Sequence, residues 1–515
     1  MCPSYASKLQ SAATRSTSTT MCVHFEQVGI SGVYVITLQR HEDARGYFQE
    51  LFHKEKYLRD AQSQSGLPQV SISRSVRDTL RGLHKSAYSK CVTVLDGEIY
   101  DVLCDMRPES STFRKWIAVK LSHSNLRQLF IPAGVAHGFL CVRDATVLYL
   151  QGGTFNPLTE SDTNAFDEHL GVLWPEPIKN YIMSQKDENA KSLCSMYPNI
   201  SSLPPLRRVL IIGASGQLGR ALSSAFATGY NVIGTFHKNE QPGICQQLDL
   251  ESIVSDDDYL KRMISRVQPA LILVCAGFTW VDGCETEPMK AERINGVAPG
   301  IIARHAKVSN AKVIYFSTDY VFDGRESKLW IEKDVPNPLN AYGRSKALGE
   351  KNVLASDPAN LIIRTTGLFG PDVGKKNFIY QLSRSLRCGE AISCATDLYG
   401  SPTYVTDLAS TTRHLFETNE CGIIHCVGPD TLDRFSFAVQ VARFFGLDVS
   451  LVKPTTSEES YSSVEKRLGT AAKRGIHLGM DSTRIELRST MRGIISALQH
   501  WLENDDDVEL PVVIS

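Results

Sequence analysis

The chain has 515 residues, 42% of them hydrophobic and 22% charged, the balance of a soluble globular protein too long for one ordinary core. A formal net charge of -1 excludes the basic surface that nucleic acid needs, and no polybasic membrane patch or membrane-length apolar run occurs. The 13 cysteines are odd in number and contain no C-x-x-C pair, so free thiols in a reducing, cytoplasmic setting are expected rather than a disulfide framework.

Residues 1–22 are rich in Ser, Thr and Ala, with Lys8 and Arg15 and no acid before a second methionine, Met21. This reads as a disordered extension, and its composition is also that of an organelle transit peptide. From 23 to 177 the rhythm is short and strand-like: VYVITL, KCVTVLDGEIYDVLCDM, KWIAVKL, RQLFIPAG and ATVLYLQGG, separated by turn formers such as Asp96-Gly97 and Pro132-Ala133-Gly134. The spacing predicts an all-β antiparallel sandwich or small barrel. Residues 178–206 are polar and then Pro/Ser-rich, the pattern of a linker. From 207 the rhythm changes to RVLIIGASG, NVIGTF, ALILVCAG, KVIYFST and NLIIRTTG, apolar strands alternating with helical segments. That alternation predicts a doubly wound parallel α/β sheet.

Gly213-Ala-Ser-Gly216-Gln-Leu-Gly219 follows the first of these strands and opens a helix. Its glycines suit a tight turn, close approach of a diphosphate, and close helix–strand packing. Asp249, in QLDL, is placed to meet an adenine edge or to cap a helix. Tyr342 and Lys346 in AYGRSK are four apart and share one helix face. A phenol has an ordinary pKa of about 10, so a neighbouring ammonium is expected to ease its proton transfer to an oxygen formed by hydride addition. Ser317-Thr318-Asp319 ends the strand KVIYFST, where a hydroxyl faces the ligand crevice of such a sheet.

These residues, with CAGFTWVDGCETEP, FSTDYVFDG, PLNAYGRSKALGE and DLYGSPTYVTDLA, resemble the extended short-chain dehydrogenases, and within them the dTDP-4-dehydrorhamnose reductases, over about 208–500. The resemblance implies a Rossmann domain at 207–366 and a smaller substrate-binding subdomain at 367–515. It implies Thr318, Tyr342 and Lys346 as the catalytic set and Asp319 at the substrate. It implies a dinucleotide held by Gly213, Ser215, Gly216, Gln217, Leu218, Gly219, His237, Lys238, Asp249, Leu250, Ala276, Gly277, Thr279, Tyr342 and Lys346. The basic pair His237-Lys238, with no acid at that strand end, favours NADP(H) over NAD(H). Family members commonly carry Trp where Gly367 stands. The fold and motifs are shared with the regulatory β subunit of methionine adenosyltransferase, a binding module.

In the first half, Arg81-Gly-Leu-His84, Lys90 and Pro132-Ala-Gly-Val-Ala-His137-Gly-Phe stand out. No His-x-His lies near His84, so no metal is expected. A neutral histidine can instead remove a proton beside a ketone if a cation meets the enolate oxygen and a carboxylate steadies the imidazolium. With DARGYFQE, ISRSVRDTLRGLH and FDEHLGVLWP, these segments resemble the dTDP-4-dehydrorhamnose 3,5-epimerases over about 23–175, which implies a cupin-like jelly roll. By that resemblance His84 is the base and Asp167 its partner, Lys90 and His137 line the sugar pocket, and Arg45, Glu50, Gln69 and Arg81 hold the nucleotide diphosphate. The family's proton-donating tyrosine falls on Thr154. The two resemblances together imply a bifunctional, cytoplasmic, dimeric enzyme. It would epimerise a dTDP- or UDP-linked 4-keto-6-deoxy sugar at C3 and/or C5 and reduce C4 to give L-rhamnose. Single-site epimerisation would give another 6-deoxyhexose.

Overall fold

The computed structural model describes residues 24–53, 69–157, 159–175, 181–200, 204–244 and 246–504. The N-terminal extension lies outside these residues. Among them, no helix is long and apolar enough to cross a membrane. The chain divides into two units, the first ending with Trp174–Ser192 and the second running from Leu193 to Ser515, with Glu109–Val119 and Phe166–Leu173 also assigned to it.

The first unit is β-rich, with a short helix at Gln185–Glu188. Its antiparallel sheet is built on two long strands, Lys90–Asp105 and Val135–Gln151, paired along most of their length. Leu80–Lys85 and Gln69–Ser75 both pair with Val135–Gln151, the former at Ala136–Leu140 and the latter at Ala145–Gln151. Register shifts after Cys141 and Arg143 bend this strand. Its two halves face one another as a result: the His137 and Tyr149 rings lie 6.4 Å apart although they are twelve positions apart in the chain. Asp96-Gly97, expected as a turn, instead sits inside Lys90–Asp105. Gly97 takes φ +82°, and a Cβ there would strike the Asp144 carbonyl, so the pair makes a bulge in a continuing strand. The core beneath is aliphatic, with Val92, Val102, Leu103, Leu129 and Leu140 fully buried.

The predicted linker at 178–206 is corrected in part. The described residues 181–200 carry structure: Ile182 bridges Thr79, Gln185–Glu188 is a short helix capped by Ser184, and Leu193–Met196 is another. The polar composition that suggested a spacer is that of a solvated turn pinned to a sheet.

The second unit carries a seven-stranded parallel sheet. In spatial order its strands are Gln246–Gln247, Tyr230–Phe236, Arg207–Ile212, Leu271–Val274, Lys312–Thr318, Leu361–Thr365 and Gly422–His425. The order reverses between Arg207–Ile212 and Leu271–Val274, which opens a crevice at the carboxyl ends of those strands. All four residues of Leu271–Val274 are buried, as expected of a strand covered on both faces. The predicted boundary at 366/367 does not separate two bodies. Gly422–His425 forms an edge of the same sheet, and Val405, Leu408 and Leu415 pack with Leu218 and Leu222 in one core. A second core, around Phe369, Tyr404, Phe437 and Trp501, belongs to the later segments.

Candidate active sites

In the second unit, one cavity of about 950 Å³ gathers the residues expected at the dinucleotide: Gly213, Ser215, Gly216, Gln217, Leu218, Gly219, His237, Lys238, Asp249, Leu250, Ala276, Gly277 and Thr279. Thr318, Asp319, Tyr342, Lys346 and Gly367 line the same cavity. The glycines explain the first set. Gly213 has φ +91°, and a Cβ would meet the Ala276 nitrogen at 2.7 Å. A Cβ on Gly219 would overlap the Gly213 carbonyl oxygen, whereas at Gly216 it would meet only that oxygen, at 3.5 Å. Gly216 is the N-cap of helix Gln217–Ala225 and offers no side-chain cap, so the helix's first N–H groups point into an open cradle. This cradle fits a dinucleotide diphosphate. Asp249 instead accepts from the Glu251 N–H and lies 3.7 Å from His237, a pairing that can hold that histidine at the cavity rim.

Tyr342 and Lys346 sit on helix Ala341–Ser356, which starts where Asn340 accepts from the Gly343 N–H at 2.7 Å. Gly343 lets this turn press against the Tyr320 carbonyl. The expected ammonium–phenol coupling is not the dominant interaction. Lys346 Nζ donates to the Phe316 carbonyl at 2.5 Å and lies 4.0 Å from the Tyr315 ring centre. Burial pulls the Lys346 amine down to about 7. Burial first, then the charges of Asp319, Tyr320 and Cys284, push the Tyr342 phenol well above its ordinary range, while a hydrogen bond with Thr318 opposes them. Tyr342 is thus held protonated, the form a proton donor needs. The Asp319 carboxylate accepts from Thr318 Oγ1 at 2.7 Å and Thr366 Oγ1 at 2.6 Å, and burial raises it to about 6. Behind Lys346, the buried Glu350 carboxylate binds Arg364 through two bonds of 2.9 and 2.7 Å and accepts from Ser317 at 2.5 Å. Nothing in the local sequence marks this pair.

In the first unit, a cavity of about 330 Å³ is lined by Gln69, Arg81, His84, Lys90 and His137 among others. His84 Nε2 lies 2.6 Å from Asp187 Oδ1 and 3.7 Å from Asp162 Oδ1. The partner of His84 is therefore Asp187, not Asp167. Asp167 spends its carboxylate on backbone, accepting from the N–H groups of His169 and Leu170 at 2.9 and 3.2 Å and of Leu193 at 2.7 Å. Asp187 is fixed by Ser184, whose hydroxyl donates to its Oδ2 at 2.8 Å. Burial pushes Asp187 up, but its bonds to His84 and Ser184 outweigh that and hold it below the usual carboxylate range.

His137 Nε2 lies 2.9 Å from Asp101 Oδ2, both fully enclosed. Lys90 Nζ donates to Ser86 Oγ at 3.1 Å, and burial lowers its pKa against the opposing charges of Glu160 and Asp101. Two expected nucleotide residues do not line this cavity: Arg45 is 89% exposed and paired with Asp43 at 2.6 Å, and Glu50 lies outside the lining. An exposed hairpin tip gives Arg45 no geometry toward the pocket of its own chain. Thr154 is also absent from the lining, whereas Phe155 belongs to it. Among the described residues, no cluster of three or more His, Cys, Asp or Glu has the arrangement of a metal site.

Arranged this way, the first cavity can remove a proton beside a ketone: His84 accepts it, Asp187 balances the imidazolium, and Lys90 is the buried cation for the enolate oxygen. The second can protonate an oxygen at a carbon receiving hydride.

Comparison with known proteins finds a family match for each half of the chain. The profile described as the RmlD substrate binding domain matches residues 207–488, and that of dTDP-4-dehydrorhamnose 3,5-epimerase matches 27–195. The dTDP-4-dehydrorhamnose reductase of Mycolicibacterium smegmatis is 31% identical over 256 residues, 49% of this chain and 73% of that protein. Methionine adenosyltransferase 2 subunit beta of Danio rerio is also 31% identical, over 292 residues, 55% of this chain and 85% of that protein. A solved dTDP-4-dehydrorhamnose reductase from Bacillus anthracis in complex with NADP superposes with a TM-score of 0.51 at 29% identity, covering 58% of this chain and 99% of that one. The chain belongs to the RmlD substrate-binding-domain family of reductases and carries a dTDP-4-dehydrorhamnose 3,5-epimerase domain ahead of it.

Proposed function

We propose that the two sites act in sequence on one nucleotide-linked 4-keto-6-deoxyglucose. The first inverts C3 and C5 beside the ketone, and the second reduces C4, giving dTDP- or UDP-L-rhamnose. The observation that carries this reading is the presence in one chain of two constellations: His84 with Asp187 and Lys90, and Thr318 with Tyr342 and Lys346. In the first site, His84 takes the α-proton as Asp187 stabilises its charge, and Lys90 meets the enolate oxygen. In the second, Thr318 and Tyr342 bind the C4 oxygen, and Tyr342 gives it a proton. The bound nicotinamide supplies the hydride. Lys346 holds the crevice wall through the Phe316 carbonyl, and His237 with Lys238 at the rim favours a 2′-phosphate, hence NADPH. The working form is a homodimer in the cytoplasm.

One observation favours narrower chemistry: the position expected for the donor tyrosine is Thr154, which does not reach the cavity. NMR of the product formed from dTDP- and UDP-4-keto-6-deoxyglucose with NADPH tests both readings. L-rhamnose confirms the sequence, a product inverted at one carbon gives the narrower one, and no NADPH oxidation with either sugar leaves the second unit as a binding module.

A further inference from the structure

Inversion at carbon needs a proton donor on the face away from His84, and the lining of the first cavity holds two phenols, Tyr88 and Tyr149. The bent strand Val135–Gln151 makes the cavity two-walled. His84 sits on the wall where Leu80–Lys85 pairs with the strand's first half, in register with His137. The second half, which carries Tyr149 and Gln151, faces it.

Tyr149 is occupied on that wall. Its hydroxyl shares a hydrogen bond with Ser73 at 3.1 Å, and burial pushes the phenol up to about 12. Tyr88 is placed differently. It precedes Lys90 in the loop between two strands, and Gln151 Nε2 donates to its hydroxyl at 2.9 Å. That bond fixes the oxygen as an acceptor and leaves its proton to be given away. The ring fits because residue 153 is glycine: a Cβ there would meet Tyr88 Cδ1 and Cγ at 2.7 Å. Burial first, then the charge and hydrogen bonding of the neighbouring Glu160 carboxylate, raise the Tyr88 phenol above its ordinary range and keep it protonated. Glu160 Oε2 accepts from Ser86 at 2.9 Å, while its Oε1 is buried in the cavity wall with no hydrogen-bond partner. A buried carboxylate next to a phenol gives the phenol's proton a route back.

We propose that Tyr88 is the acid of the epimerase site, giving its proton to the carbon opposite His84, with Glu160 as the positioning residue that returns one. The step balances. The C–H bond breaks and its proton goes to His84; the electron pair moves to the ketone oxygen beside Lys90. The enolate then collapses as the Tyr88 O–H bond breaks and a new C–H bond forms on the other face. The phenolate regains a proton from water through Glu160, and His84 loses one to water. An enolate carbon is far more basic than a phenolate, so the transfer runs downhill.

This rests on the epimerase reading, and the experiment separates the two. The full-length enzyme and its variants are incubated in D2O with dTDP-4-keto-6-deoxyglucose. Deuterium at C3 and C5 and configuration are then read separately by NMR, and NADPH oxidation with separately prepared, already epimerised dTDP-4-keto sugar is the folding control. Tyr88→Phe is expected to keep His84-dependent deuterium exchange, with retention, and to lose inversion by about 100-fold. Glu160→Gln slows inversion more than exchange, a split that a purely structural role would not give. Tyr149→Phe keeps both. Inversion by Tyr88→Phe at the wild-type rate overturns the proposal, and so does loss of inversion in Tyr149→Phe alone. Absence of any exchange in the wild type overturns the epimerase reading itself.

Discussion

Asp187→Asn isolates what a carboxylate does for His84, because the amide keeps the shape and the contact with Ser184. The pair matters only once His84 has taken a proton, so the lost energy is lost from the transition state. Two unit charges 2.6 Å apart attract by about 6 kcal/mol at an effective dielectric of about 20. The His84 side chain is 33% exposed, so solvent screens part of this, and halving it leaves about 3 kcal/mol. That is roughly a 100-fold loss of turnover. The amide can also donate to Nε2 and so fix the tautomer in which the opposite nitrogen carries the proton and cannot act as base. Exchange of deuterium into the 4-keto sugar nucleotide, followed by NMR at C3 and C5, measures the rate, and reductase activity with already epimerised 4-keto sugar nucleotide reports folding. Exchange within about threefold of wild type would refute the reasoning. Asp167→Asn provides the contrast: it should lower stability by about 1 kcal/mol through weakened backbone capping, seen as a lower Tm, and leave the exchange rate unchanged.

Tyr342→Phe should lower reductase turnover by two orders of magnitude or more while Kd for the dinucleotide stays near wild type, as measured by stopped-flow and titration; near-normal turnover would remove Tyr342 as proton donor. Lys238→Ala should raise KM for NADPH and leave that for NADH unchanged, and an equal effect on both would make the His237-Lys238 pair a solvated turn. For Asp319 the folded pKa, about 6, lies above the unfolded value near 3.9, so the protein binds the extra proton when folded. Its contribution to stability is fully present below about pH 4 and lost as pH rises through about 6. Asp319→Asn should therefore match wild type near pH 4 and gain up to about 3 kcal/mol above pH 7; denaturant melts at the two pH values giving a constant difference would count against this.

The parts of each site that were legible in the sequence are those whose physics is local. A glycine at positive φ, as at Gly213, serves a turn that its neighbours also announce, and Tyr342 and Lys346 share a face because four residues make about one helical turn. Long apolar strands gave the two fold classes for the same reason. The residue that completes His84 lies 103 positions later, in a four-residue helix whose composition is that of a linker. The one local mark, Ser184 three residues before Asp187, is an ordinary N-cap, and it fixes where a carboxylate points without saying what it points at. Asp167 has the same chemistry and an equally ordered carboxylate, but its partners are backbone N–H groups.

An aspartate that caps backbone and one that faces a histidine are thus the same residue type in the same kind of turn, told apart only by which strand the turn is laid against. The same holds for Lys346. Its spacing from Tyr342 is local and was readable, but its hydrogen bond is to Phe316, thirty residues earlier, because a buried ammonium takes the nearest strong acceptor. That acceptor belongs to the strand ending in Thr318, so Lys346 ties the helix bearing the phenol to the strand bearing the hydroxyl. The spacing Tyr-x-x-x-Lys then has a second physical use beside charge: it sets the distance between the two groups that are proposed to meet one substrate oxygen.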